Sequence, residues 1–310
     1  MDHTKLIKGA LFTSISVLLV WLLFHSINIS DLADAFSRVT LIGVALGFVL
    51  YALGYLIRAV RFYYLLDKKL GLRVLFFVVC IHNMINSLLP ARLGELSYVY
   101  LVKKKNIPLA QSTAGLVLTR IFDLIALIIL FLVALFMARA TLPVFFKNLI
   151  PVVWVVLGVL IVGSITLILC EPWLRRFADS RLQILRMLHS FVHSFRREHT
   201  CSKIIMLSLS SIVLWISQFL MIYFIFWHML PVSGWYILIG SLFPILSTVL
   251  PVQGIAGFGS IEAAWALAFV MLGLSKEVAI ATGFVFHFVI IGYFLVWGFV
   301  GWLGWRREQH

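Results

Sequence analysis

Apolar stretches, separated by short polar or basic segments, recur along the whole chain. An α-helix of about 20 residues crosses the roughly 30 Å of hydrocarbon in a bilayer. We therefore predict six full membrane spans, at residues 8–25, 39–57, 108–138, 149–170, 204–230 and 278–304. The first follows Lys5 and Lys8 as a signal peptide would, but it lacks a small-residue cleavage site, so we predict an uncleaved anchor.

Two further apolar stretches are interrupted near their middle, at Pro90–Glu95 and at Pro251–Gly259. The arms beside these breaks are residues 74–89, 91–102, 235–250 and 256–273. Three of the four are shorter than the usual minimum of about 17 residues for a span. Re-entrant hairpins therefore fit better than full crossings, although both return to the side of entry. Non-helical backbone at membrane depth must be covered by protein or line a wet cavity, so both breaks should face a polar interior.

Composition and charge decide the class and the orientation. Hydrophobic residues make up 63% of the 310-residue chain and charged residues 12%, whereas soluble domains average about 45–50% and about 25%. The net charge of +13 then predicts contact with an anionic membrane surface, not with nucleic acid. If both broken stretches return to their side of entry, Lys and Arg divide 19 to 4 between the two sides, whereas single crossings give 11 to 12. The positive-inside rule favours the first division, with both termini cytoplasmic.

The two broken regions resemble each other at a constant offset of 167 residues. Glu95 matches Glu262, and Arg120 matches His287. Because the predicted hairpins enter from opposite sides, the repeat is inverted, as in secondary transporters with discontinuous helices. The fold prediction is an all-α, polytopic integral membrane protein with one domain over 1–310, and its hairpin-plus-helix repeats are residues 74–138 and 235–304.

Ionisable side chains in apolar surroundings are costly inside a membrane and mark candidate sites. They are Arg92, Glu95, Arg120, Asp123, Glu262 and His287. Arg92 with Glu95, and Arg120 with Asp123, share a helix face at a spacing of three residues. One interpretation is two intrahelical ion pairs that neutralise each other. The other is a central cavity in which arginine binds a phosphate bidentately, while the carboxylates hold the arginines or exchange protons.

Two other segments suit anions. Gly257 and Gly259 precede a helix that begins near Ser260, and this is either a plain helix break or a helix N-terminus whose free N–H groups bind an anion. The basic segment 171–203 interleaves arginines with large apolar residues. It is predicted to lie on the cytoplasmic membrane surface, either as a topological anchor or as a recruiter of lipid headgroups.

Three sequence motifs resemble the lysylphosphatidylglycerol synthase transmembrane-region family. They are Asn86-Ser-Leu-Leu-Pro-Ala-Arg-Leu-Gly-Glu95, Leu118-Thr-Arg-Ile-Phe-Asp123, and the stretch from Pro251 to Glu262. Thr119 stands where the family commonly has Glu, and His287 where it often has Arg. The resemblance covers nearly the whole chain. It implies a stand-alone relative of the flippase half of these synthetases, in the inner membrane of a cell and tied to envelope lipids, without the soluble half that transfers the amino acid.

The leading hypothesis is therefore a lipid translocase that is not an enzyme and needs no cofactor or metal. It would move a phosphate-bearing lipid or a lipid-linked sugar between leaflets of the cytoplasmic membrane, with a phospholipid or a polyprenyl-phosphate-linked lipid as its binding partner. The substrate-binding candidates are Arg92, Glu95, Arg120, Asp123, Gly257, Gly259, Ser260, Glu262 and His287. Two alternatives stay open: a membrane transferase acting on a lipid, and a non-transporting partner of an envelope-lipid synthase. A homo-oligomer or an envelope-synthesis enzyme as partner is compatible with each.

Overall fold

A computed structural model describes residues 17–89, 94–174, 201–248 and 255–308, with isolated positions at 14, 190, 192–194 and 196. The described residues form helices and no strand, which confirms the predicted all-α polytopic membrane class. The helices are α1 (Val17–Phe24), α2 (Ile29–Ser37), α3 (Leu41–Leu65), α4 (Leu72–Leu88), α5 (Glu95–Lys103), α6 (Leu109–Ala138), α7 (Val144–Leu174), α8 (Cys201–Phe226), α9 (Gly234–Ser247), α10 (Ser260–Met271) and α11 (Lys276–Arg307).

Five described helices are long and apolar enough to cross a membrane: α3, α6, α7, α8 and α11. The predicted first span, 8–25, is described only in part. Its helix α1 bends by 90° into α2, and the two count as one broken span or a re-entrant element. Six full spans therefore stays a prediction. The basic segment 171–203 lies largely outside the described residues.

The second span is longer than its hydropathy predicted. We ended it at residue 57, before two arginines, but α3 continues to Leu65. Arg58 and Arg61 therefore lie within the helix and not beyond its end. A helix can contain them because both side chains find polar partners among neighbouring helices. The sequence also gave no prediction for α2, a short amphipathic helix whose first turn carries Asp31.

The two broken stretches form helical pairs, α4–α5 and α9–α10, which we call the first and second hairpins. The breaks at 90–93 and 249–254 are outside the described residues. The first hairpin opens beside the C-terminus of α11, where Arg73 and Lys105 both contact Glu308. The second opens at the other end of the bundle, where the Tyr236 hydroxyl donates to the Thr141 carbonyl just beyond α6. The hairpins therefore enter the bundle from opposite ends.

Packing between the two halves is reciprocal. Helix α11, which follows the second hairpin, packs along α4 of the first, while α6, which follows the first hairpin, packs on α9 of the second. The helices that precede the hairpins, α3 and α8, pack on each other. Close approach of α11 to α4 depends on Gly301, where an added Cβ would lie 2.5 Å from Cβ of Cys80. An inverted repeat requires such reciprocity, although the symmetry itself remains a prediction.

One end of the bundle is basic and aromatic. Cation–aromatic contacts there pair Lys68 with Tyr64, Arg73 with Phe77, Lys104 with Tyr100, Lys105 with Trp305, and Arg306 with Trp302. At the opposite end, the described residues include one such contact, between Arg139 and Phe136. Aromatic and basic side chains of this kind are typical of the interface between membrane and water.

Candidate functional site

A cavity of about 300 Å³ lies where the two hairpins meet. Helices from both halves form its wall: α3, α4 and α6 from the first, and α8, α9, α10 and α11 from the second. Ser87 and Thr248, near the inner ends of the first arms, lie on the wall. Polar side chains on it are Tyr51, Tyr55, Arg58, Asn83, Asn86, Ser87, Arg120, Asp123, Trp215, Gln218, Thr248 and His287. The cavity is thus lined by both polar and apolar side chains, with polar groups near the inner ends of both first arms.

One interpretation from spacing was an intrahelical pair of Arg120 with Asp123, but both side chains contact residues on other helices. Asp123 binds Arg61 on α3, with Nη1 to Oδ1 at 2.7 Å, and the Ser211 hydroxyl donates to the same oxygen at 3.0 Å. Arg120 instead contacts Glu95, with 2.9 Å between Nη2 and Oε1. Sharing a helix face brings two Cβ atoms near each other, but both side chains here reach to neighbouring helices. Arg92, the other half of the expected Arg92–Glu95 pair, lies outside the described residues.

Arg58 is a cavity residue that the sequence did not single out. Its Nη1 donates to Oδ1 of Asn83 at 2.9 Å. Within the described part of the chain no carboxylate pairs with it, and its Nε–H is buried without an acceptor. The Nε–H of Arg120 is in the same position. The sequence does contain a signal for it. Arg58 stands three residues before Arg61 in an apolar helix, and two arginines there are costly in a membrane unless each has a structural or functional partner.

The second hairpin carries its own buried pair. Nδ1 of His287 lies 2.7 Å from Oε1 of Glu262, and its Nε2 lies 2.8 Å from the Ala256 carbonyl oxygen. The two side chains are 1% and 0% exposed. Glu95 with Arg120, and Glu262 with His287, are the residues matched by the 167-residue offset. In each half, then, the acid that opens the second arm contacts the basic residue of the following long helix.

At the glycine-rich start of α10, polar groups of the segment form hydrogen bonds with each other. The Gly259 N–H donates to Oε2 of Glu262 at 2.8 Å, and the Ser260 hydroxyl donates to the Gly257 carbonyl at 3.0 Å. Gly257 and Gly259 have φ of 78° and 82°, which a side chain rarely tolerates. These contacts explain the glycines as turn formers. Anion binding at this helix start is not tested and stays a prediction.

The fold and the site together define a class: a polytopic helical membrane protein whose two opposed hairpins meet at a cavity with arginines on its wall. The family model for the lysylphosphatidylglycerol synthase TM region matches residues 6–298, and the chain belongs to that family. The resemblance drawn from its motifs is confirmed. Membership indicates a membrane protein related to lipid synthesis or flipping and associated with membrane lipids. No curated protein and no solved structure matches the chain significantly.

Proposed function

We propose that this chain is a lipid translocase that moves a phosphate-bearing lipid, or a lipid-linked sugar phosphate, between leaflets without altering it chemically. The observation that carries this is the state of Arg58: a cavity-lining guanidinium with one amide partner and a buried Nε–H lacking an acceptor among the described residues. An unsatisfied buried donor of this kind calls for a missing partner. A phosphate matches it, because an arginine can bind two phosphate oxygens through a planar fork.

Charge in the cavity favours an anion. Arg61 is neutralised by Asp123, and Arg120 by Glu95. The Glu262–His287 contact is neutral overall if one proton lies between its members. The described residues of the wall then carry one excess positive charge, that of Arg58. An anionic phosphodiester headgroup would neutralise it, whereas a cationic headgroup would be repelled.

The size of the cavity fits a headgroup and not a whole lipid. Small-molecule sites measure about 300–1,000 Å³, so this one lies at the lower limit. Acyl chains would remain in the bilayer while the headgroup passes between the hairpins. The ion pairs at Arg61 and Arg120 hold the wall in place, and Arg58 and Arg120 present the N–H groups that bind phosphate.

Orientation belongs to the same proposal. The basic, aromatic end would face the cytoplasm, since cytoplasmic segments of membrane proteins carry the excess of Lys and Arg. Both termini would then be cytoplasmic in an inner membrane, and the two halves would form an inverted repeat that exposes the cavity to each leaflet in turn.

Purified protein in vesicles tests the function. A fluorescent phosphatidylglycerol probe, with phosphatidylethanolamine and lysyl-phosphatidylglycerol probes for comparison, is followed into the outer leaflet, where a membrane-impermeant reductant quenches it. We expect movement above protein-free vesicles, fastest for the anionic probe. A charge-assisted hydrogen bond contributes about 1.5–3 kcal/mol, so Arg58→Gln should weaken probe binding about 10–100-fold. Arg139→Gln, at an exposed arginine outside the cavity wall, is the matched control.

The alternatives give different outcomes in the same vesicles. A transferase would change the mass of the probe, which mass spectrometry detects. A non-transporting partner would leave every probe at the protein-free rate even though the protein is folded, and that result would end the translocase proposal.

A further inference from the structure

The Glu262–His287 pair sets a protonation state by its geometry. Both ring nitrogens of His287 face oxygen atoms that accept hydrogen bonds: Nε2 the Ala256 carbonyl, and Nδ1 the Glu262 carboxyl group. The carbonyl cannot donate, so Nε2 carries a proton. A second proton must lie between Nδ1 and Oε1, because a bare nitrogen facing a bare carboxylate at 2.7 Å would repel it.

The pair is therefore neutral with that shared proton and carries one negative charge without it. At 1% and 0% exposure, the negative form is poorly solvated. An imidazole, unlike a guanidinium, can give up a ring proton, so the shared proton is exchangeable.

The equivalent pair in the other half cannot do this. Arg120 contacts Glu95 at the same separation of 25 residues along the chain. A guanidinium stays protonated in proteins. The chain thus holds two pairs at matching places, one with a fixed charge and one with an exchangeable proton.

Charged groups facing this pair are few among the described residues. On the cavity wall they are Arg58 from α3 and Arg120 with Asp123 from α6, and the tyrosines are Tyr51 and Tyr55. Helices α4, α8 and α9 contribute only uncharged groups to that wall. Around the ring itself, Phe258 packs against His287 in a tilted arrangement, with 4.6 Å between ring centroids. Because His287 lies on the cavity wall, the pair is placed to respond to charge inside the cavity; Asp31, Asp34, Arg38 and Glu277 lie around a separate pocket where α2 packs on α11.

We propose that the Glu262–His287 pair binds one proton together with an anionic headgroup, so that lipid movement is coupled to the proton gradient. The proposal rests on the translocase function above. With the headgroup bound, the shared proton keeps the pair neutral. When that proton leaves through the cavity to water, Nδ1 loses it, the carboxylate remains, and the new negative charge repels the phosphate. One negative headgroup and one proton cross together, so the movement is electroneutral.

The first experiment imposes a pH difference across probe-containing vesicles while the membrane potential is clamped at zero. The anionic probe should accumulate in the leaflet on the alkaline side, up to about tenfold for one pH unit. A potential imposed without a pH difference should leave the probe evenly divided. Even division under the pH difference, with the probe still moving, overturns the coupling and leaves the translocase function standing.

The second experiment measures binding of short-chain phosphatidylglycerol to detergent-solubilised protein. Wild-type affinity should rise as pH falls, by up to about tenfold per pH unit, because each bound headgroup takes up one proton. Glu262→Gln should abolish this dependence, because its amide donates to Nδ1 of His287 and still accepts from the Gly259 N–H, fixing a neutral pair. His287→Arg, which copies the Glu95–Arg120 arrangement, should abolish it too.

His228→Arg, at an exposed histidine outside the cavity wall, is the control and should keep the wild-type pH dependence. A flat wild-type profile, or a pH dependence retained in both pair variants, overturns the proposal. If affinity depends on pH but no probe moves in vesicles, proton and headgroup binding are linked, whereas the translocase function and the coupling to movement both fail.

Discussion

The buried ion pair between Arg61 and Asp123 offers the sharpest test of how the site is held together. Arg61 is 1% exposed, and it also donates to the Thr119 carbonyl at 3.0 Å. One oxygen of Asp123, Oδ1, accepts hydrogen bonds from both Arg61 and the Ser211 hydroxyl. Both charges are largely shielded from water, so each depends on the other.

Removing the two partners should have unequal effects. Asp123→Leu leaves Arg61 buried without a counter-charge, which costs about 3–5 kcal/mol in the free energy of unfolding. Arg61→Leu leaves Asp123 with Ser211 and with Arg58, which interacts electrostatically with the same carboxylate. We expect about 1–3 kcal/mol there, the cost of a weakened charged hydrogen bond. Replacing both by Leu should cost less than Asp123→Leu alone, since no orphan charge remains.

Unfolding of the purified protein by rising dodecyl sulfate in mixed micelles, followed by circular dichroism, gives all three free energies. Together they form a double-mutant cycle whose coupling term should reach about 2–3 kcal/mol. The reasoning is refuted if Asp123→Leu costs less than about 1 kcal/mol, or if the double variant loses as much as the two single changes added together.

Two remaining predictions concern packing and topology. Gly301→Leu should force α11 away from α4, because an added Cβ would already lie 2.5 Å from Cβ of Cys80. We expect the free energy of unfolding to fall by about 1–3 kcal/mol in the same assay. The control is Gly292→Leu, whose added Cβ meets nothing within 4 Å and which should stay close to wild type. After replacement of the native cysteines, single cysteines at Lys104 and Arg139 should react with impermeant reagents from opposite sides of the membrane, and reaction from the same side would contradict a spanning α6.

Most of the fold could be predicted from hydropathy, because the bilayer imposes it. Proline and glycine interrupt two apolar stretches, and the observed arms α4, α5, α9 and α10 follow those interruptions closely. The end of α3 could not be placed in this way. Hydropathy treats an arginine as a boundary, whereas Arg61 lies inside the helix because Asp123, 62 residues later, compensates its charge.

The composition of the site was predicted better than its pairing. Arg120, Asp123 and His287 line the cavity, and Glu95 and Glu262 contact residues that do. Spacing along one helix suggested partners three residues away, but it fixes only which way a residue points. The long reach of arginine allows contacts with other helices, and which helices those are depends on tertiary packing.

The repeat offset contained the information that local spacing lacked. An offset of 167 residues matches an acid with an acid and a base with a base, and each acid contacts the base of its own half. Each half holds a carboxylate beside an interruption of its apolar stretch. In each half, a cation on the next long helix should therefore compensate that carboxylate. The halves differ in the cation, and the Glu262–His287 pair is also more deeply buried than the Glu95–Arg120 pair. One half therefore has a cation that keeps its proton, and the other has a proton that can exchange. The proposed coupling of lipid movement to protons depends on this difference.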